Sequence, residues 1–238
     1  MKTNKDEKYI YIVLVKALTG LGKFARKFSE YEYTHTAVCL NENIDDFITF
    51  SRKKHYAPFN SGFMHETLDC YAFGNNKKVK LKIFKVPVTS ENKKKIERYI
   101  DNAAKDKDYI FNLYSMATMS LIHGFRIYKA HNCMSFVSKV LELSESVPMT
   151  KKYYKYSIKD IDILLSDYKY KEGYFYKTKI QNKRYMDKVS FISNVGMFLK
   201  LNGKLLYRIC IYRSDCHSCT EYLPHPAADC PRELPGKI

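Results

Sequence analysis

Residues 9–15 form the sequence feature that most constrains the fold. The run Tyr-Ile-Tyr-Ile-Val-Leu-Val is rich in β-branched and aromatic side chains, which favour an extended strand. No small-residue cleavage site follows this run, so we interpret it as a buried strand and not as a signal peptide. No apolar run in the sequence is long enough to predict a transmembrane helix, and we therefore expect a cytoplasmic protein.

Further periodic segments predict the other elements of one domain. Strands are expected at residues 33–40, 46–51 and 78–86, and helices at 21–29, after Thr89 or Ser90, from Cys133 to about Ser144, after Ser157 and at 189–201. Residues 52–65 contain Pro58, Asn60 and Gly62 and are expected to be an irregular connection. The aromatic and Met-rich segment 109–125 is expected to pack over a functional site. Because strands and helices do not alternate regularly, we expect an α+β fold with an antiparallel sheet.

The chain is strongly basic, with a formal net charge of +16 and a sequence pI near 9.4. Such a charge favours anionic partners, which include nucleic acid, phospholipid headgroups and cell-wall acids. The lysines are spread thinly, and the sequence contains no RNA-recognition, helix-turn-helix or zinc-finger pattern. We therefore expect no specific nucleic-acid partner, while an anionic membrane or cell-wall surface stays open as a partner.

The composition changes at the C-terminal end. Residues 214–238 hold four of the seven prolines and three of the seven cysteines of the chain. We therefore predict a domain over residues 1–213 and an atypical tail, disordered or non-native, over residues 214–238. The tail includes Cys216, Cys219 and three further His or Cys residues, but a single Cys-x-x-Cys pair is weak grounds for a zinc site. We expect neither a metal nor a cofactor.

Cys133 is the first candidate for chemistry. It follows Asn132, a residue that favours the N-cap position, so Cys133 is expected in the first turn of a helix. The free N–H groups and the positive end of the helix dipole favour a thiolate there, and the same groups can stabilise an oxyanion. The alternative is an inert buried cysteine at a helix start. His131, two residues earlier, is expected in an exposed loop.

His35 is the candidate base. It lies within the predicted strand 33–40 among small and apolar neighbours, where a buried imidazole needs a polar partner. A thiol is one such partner, and the pair would form the nucleophile and base of a cysteine hydrolase. The alternative is a core histidine bonded to the backbone.

Short motifs around these residues resemble a known family. Residues 33–40 (Tyr-Thr-His-Thr-Ala-Val-Cys-Leu) are similar to the His-bearing strand of circularly permuted, NlpC-type papain-like proteins. Residues 132–137 (Asn-Cys-Met-Ser-Phe-Val) resemble their nucleophile helix, also seen in lecithin:retinol acyltransferase-like proteins. Residues 47–53 and 62–66 are similar to the YiiX- and YaeF-like bacterial branch. His35 precedes Cys133, which is the permuted order, and the resemblance covers roughly residues 8–175.

The resemblance implies a papain-like fold and a third polar residue that fixes the His35 ring. Glu66 is the first choice because the family has a Glu after Gly-Phe at this point. His65 is the alternative, since the acyltransferase-like branch uses a second His, and Ser51 is a third option. Tyr33 is expected either to line the substrate pocket or to belong to the ordinary core.

The implied reaction is attack by Cys133 on an amide or ester carbonyl, giving an acyl-enzyme that water or another acceptor resolves. The substrate classes implied by the resemblance are peptide amides and acyl lipids. The alternative is a catalytically inactive papain-like module that binds an anionic surface through its lysines.

Overall fold

The computed structural model describes residues 8–18, 31–72, 76–177 and 183–212 of the 238-residue chain. The helix expected at residues 21–29 and the tail at 214–238 lie outside the described residues. The described part is α+β, which confirms the expected class, and its main sheet is antiparallel with six strands.

The six strands of this sheet are β1 (Lys8–Val15), β2 (His35–Cys39), β3 (Phe47–Lys54), β4 (Ala57–Glu66), β5 (Lys78–Val88) and β8 (Lys169–Tyr176). Their order across the sheet is β4-β3-β2-β1-β5-β8. The apolar run that opened the sequence analysis thus becomes β1, a central strand with partners on both sides. A small parallel pair is formed by β6 (Ile110–Phe111) and β7 (Ala130–His131).

The helices are α1 (Leu68–Tyr71), α2 (Ser90–Lys105), α3 (Leu113–Ala117), α4 (Met119–Ile122), α5 (Cys133–Ser144), α6 (Ile158–Leu164) and α7 (Phe191–Tyr212). Three begin at predicted caps, because Thr89, Asn132 and Ser157 each accept a hydrogen bond from a backbone N–H in the first turn. Residues 109–125 include β6, α3 and α4, and Phe111 and Met119 of this segment are buried in the same cluster as Cys133. In the described part of the chain, no helix is both long and apolar enough to cross a membrane.

The irregular connection predicted for residues 52–65 is wrong. This segment completes β3 and forms β4, joined by a tight turn at His55 and Tyr56. The presence of Pro58 misled the prediction. β4 is an edge strand with β3 as its only partner in the sheet, so a residue without an N–H can be accommodated there.

Two apolar layers cover the two faces of the sheet. Side chains of α2, α5 and α6 pack against the face that carries Ile12, Phe50 and Val86. The other face carries Val13 and Leu81 and packs against α1 and the turn that contains Tyr185. Successive strand residues therefore serve opposite layers, which fixes the direction of each polar side chain in the strands.

Candidate active site

Asn132 positions Cys133 at the start of α5. The Asn132 side chain accepts a hydrogen bond from the Ser135 N–H at 2.8 Å, and the Ser135 hydroxyl receives the Asn132 N–H at 3.1 Å. The N–H groups of Cys133 and Met134 precede the first intrahelical bond, and no acceptor in the described residues takes them. Cys133 therefore lies beside two free N–H donors.

His35 is the first residue of β2 and pairs in register with Val15. Its Nε2 donates to Glu66 Oε2 at 2.7 Å, and its side chain is 14% exposed while that of Glu66 is only 4% exposed. Since Nε2 is engaged, Nδ1 is the ring nitrogen that remains for the thiol of Cys133. The imidazole is thus the accessible member of the pair, and the carboxylate lies behind it.

The surroundings of His35 favour its charged form. Burial lowers the pKa of His35, but the charge of Glu66, the interaction with the Cys133 thiol and the hydrogen bond to Glu66 together raise it to about 10. At neutral pH the ring is therefore an imidazolium. Both Glu66 and Cys133 contribute to this result, so the three side chains form one electrostatic unit.

Glu66 receives two further hydrogen bonds from the protein. Ser51 Oγ donates to its Oε1 at 2.6 Å, and the Tyr71 hydroxyl donates to its Oε2 at 2.7 Å. Burial alone would raise the pKa of Glu66, but the charge of His35 and the hydrogen bonds from His35, Ser51 and Tyr71 bring it below the usual value. The carboxylate therefore remains ionised and held in one orientation.

Tyr71 is the member of this group that the sequence analysis missed. It ends α1, and its ring lies 5.7 Å from the His35 ring, centre to centre, in an edge-on contact. Burial raises its pKa well above the usual value, and Glu66 raises it further, so the hydroxyl keeps its proton and stays a donor. Nothing distinguishes this residue in the sequence, where it is one of 21 tyrosines.

The structure separates the three candidates for the third position. Glu66 contacts His35 directly, and Ser51 contacts Glu66. His65 points to the opposite face of β4, where its Nδ1 lies 2.9 Å from Asp46 and its side chain is 55% exposed. His65 therefore lies outside the group around His35.

Tyr33 also lies outside this group. Its hydroxyl donates to Glu172 Oε1 at 2.7 Å, and its ring is buried. The residue belongs to the same buried cluster as Cys133 and is held there by a carboxylate of β8, and no hydrogen bond joins it to Cys133 or Glu66 in the described residues.

His131 corrects the expectation of an exposed loop. It is buried, its Nε2 lies 3.0 Å from the Tyr99 hydroxyl, and its Nδ1 lies 3.3 Å from Ser135 Oγ. Burial, with the charges of Lys139 and Arg126, lowers its pKa to about 3. The neutral His131 ring therefore supports the start of α5, and both of its nitrogens are already hydrogen-bonded, so neither is free for catalysis.

The other two buried cysteines, Cys39 and Cys70, differ from Cys133 in their exposure. Burial raises the pKa of Cys39 far above its usual value and that of Cys70 to about 12. Their residue exposures are 0% and 2%, against 7% for Cys133. Cys133 is thus the most accessible of the three buried thiols.

In the part of the chain that the structure describes, no group of three or more His, Cys, Asp or Glu side chains is arranged to hold a metal ion. The cysteines and histidines of residues 214–238 lie outside that part. Comparisons with family models, with curated proteins and with solved structures give no match to this chain.

Proposed function

We propose that this chain is a cysteine-dependent acyl-transfer enzyme that hydrolyses an amide or ester, with a permuted papain-like arrangement. One observation carries the proposal. A buried carboxylate, Glu66, holds the His35 ring by a hydrogen bond of 2.7 Å, and Cys133, at the N-terminus of α5, is among the groups that raise the pKa of that ring. A catalytic cysteine requires a base of this kind and an orienting group behind it.

The first half of the reaction uses the thiolate and the imidazolium. The Cys133 sulfur attacks the substrate carbonyl carbon, and the carbonyl oxygen takes the negative charge. The free N–H groups of Cys133 and Met134 are positioned to bond such an oxyanion. His35 gives its proton to the leaving nitrogen or oxygen, the bond to carbon breaks, and a thioester forms on Cys133.

The second half regenerates the site. Neutral His35 takes a proton from water, and the resulting hydroxide attacks the thioester carbonyl. The carbon–sulfur bond breaks, the acid product leaves, and the thiolate and the imidazolium are restored. Glu66 stays ionised throughout and stabilises the charged ring in both half-reactions, as the orienting carboxylate does in comparable triads.

The test uses p-nitrophenyl acetate as a generic acyl donor. We expect a burst of nitrophenolate and an acetyl group on the peptide that contains Cys133. Cys133→Ala should abolish the burst, whereas the control Cys210→Ala should keep it, because Cys210 is an exposed thiol on α7. Acetylation of Cys210 at an equal rate, with no burst, contradicts the proposal and favours the inactive binding module.

A further inference from the structure

The last helix, α7, carries an apolar stripe that the described protein leaves uncovered. Ile192 is 83% exposed, Leu199 is 62% exposed and Leu206 is 54% exposed. These three residues are spaced seven apart, so each lies about 20° around the helix axis from the one before, and all three face the same side of α7. Val195, 38% exposed, lies three residues after Ile192 and widens the same stripe.

The opposite side of α7 is firmly attached to the domain. Leu201 and Leu205 are buried against Ile110, Ile127 and Ala130. Arg208 donates three hydrogen bonds to backbone oxygens of the segments that flank β6 and β7. The exposure of the stripe is therefore a property of a fixed helix and does not come from a loosely held end.

The charged side chains on α7 itself are all positive. Lys200 is exposed on the flank of the stripe beside Leu199, Lys204 is exposed further round the helix, and the α7 sequence contains no Asp or Glu. Just before the helix, Lys188 is exposed and Asp187 is paired with Lys54 at 3.1 Å. The whole chain carries +16. A second copy would present the same basic helix and would be repelled, whereas an anionic surface would be attracted.

We propose that α7 docks on an anionic lipid bilayer, lying in the interface with Ile192, Val195, Leu199 and Leu206 inserted between the headgroups. Apolar side chains on one side and lysines beside them are what an interfacial helix needs, since the lysine stems reach the lipid phosphates. The helix is not apolar enough to cross the bilayer, which agrees with a position in its surface. This inference does not rest on the proposed function.

The test is flotation of the full-length chain with vesicles of phosphatidylcholine alone or mixed with phosphatidylglycerol. We expect binding to the mixed vesicles only, weakened by salt. Ile192→Ser and Leu199→Ser should each weaken it about tenfold. Lys200→Gln should weaken it about fivefold.

The matched control is Ile163→Ser, which removes an isoleucine that is 64% exposed on α6 and should leave binding unchanged. Circular dichroism should show the same thermal unfolding for the Ile192 and Leu199 variants as for the wild type, because both positions are exposed. Equal binding by the wild type and the serine variants overturns the proposal, as does failure of the full-length chain to bind mixed vesicles. A dimer in solution that Leu199→Ser dissociates also overturns it, in favour of a second copy as the occupant.

Discussion

Glu66→Gln removes the negative charge beside His35 and keeps the shape of the side chain. In the wild type, burial lowers the pKa of His35, but Glu66 and Cys133 raise it from 6.5 to about 10. Between these two values the folded protein binds a proton that the unfolded chain has lost. The free energy of unfolding should therefore fall by about 1.4 kcal/mol for each pH unit across this window. The stabilisation is fully present below pH 6.5 and is lost as the pH rises through about 10.

In the variant, burial remains while the carboxylate charge is gone, so the pKa of His35 drops and this slope disappears. Breaking a buried pair by removing one partner costs about 3–5 kcal/mol. We expect a loss of that order near pH 6, with the wild type and the variant converging near pH 10. The pKa of Glu66 is lowered, so on the acid side the same interaction is lost as the pH falls through the folded value. The losses at high and at low pH both come from the same His35–Glu66 interaction, so its free energy is counted once.

The measurement is urea unfolding of both proteins at a series of pH values. Asp46→Asn is the matched control, because Asp46 faces His65 at 2.9 Å but both side chains are about half exposed. That pair should contribute less than about 1 kcal/mol. Parallel stability curves for the wild type and Glu66→Gln between pH 6.5 and 10 would refute the charged state assigned to His35.

Two further substitutions test the support of the site. Tyr71→Phe keeps the ring but deletes a hydrogen bond to buried Glu66, and should lower the free energy of unfolding by about 1.5–3 kcal/mol in urea, whereas Tyr170→Phe, at an exposed position, should not. Equal stability of the two variants would show that the Tyr71 hydroxyl does not support the carboxylate. Asn132→Ala should cost about 1 kcal/mol and slow the alkylation of Cys133, while Ser157→Ala should cost a similar amount without slowing it. Equal rates of Cys133 alkylation in the two variants would show that the Asn132 cap does not affect the reactivity of Cys133.

Local chemistry made much of the fold predictable. The helices after Thr89, Asn132 and Ser157 begin where their caps predict, since a cap and its first turn are neighbours in sequence. The edge strands were harder. β4 was taken for a loop, and β8 was not predicted because most of its residues are exposed and give no apolar alternation.

The end of α7 was also missed. The helix was expected to stop near residue 201, just before Asn202 and Gly203, and both residue types are typical of helix ends. It continues to Tyr212 because Leu205 and Arg208 attach the next turns to the β6–β7 segment. These contacts are distant in sequence, so the local pattern could not reveal them.

The candidate site was predictable in part for the same reason. The cap at Asn132 singled out Cys133, and the polar residue in an apolar strand singled out His35. The third position stayed open among Glu66, His65 and Ser51. Neighbouring strand residues face opposite sides, so Glu66 and His65 point apart. Only the position of β4 in the sheet shows that Glu66 faces His35 and that His65 faces Asp46.

The most direct test of the central claim is the rate at which iodoacetamide alkylates Cys133 at pH 6, measured by peptide mass spectrometry. Exposed Cys210 is the reference thiol in the same chain. We expect Cys133 to react first, because a thiol at a helix start with a neighbouring imidazolium is typically more reactive than a solvent-exposed one. His35→Ala should remove most of this advantage, since the helix dipole alone contributes about 1 kcal/mol. If Cys133 reacts no faster than Cys210, and His35→Ala changes nothing, then the pair is structural and the account is contradicted.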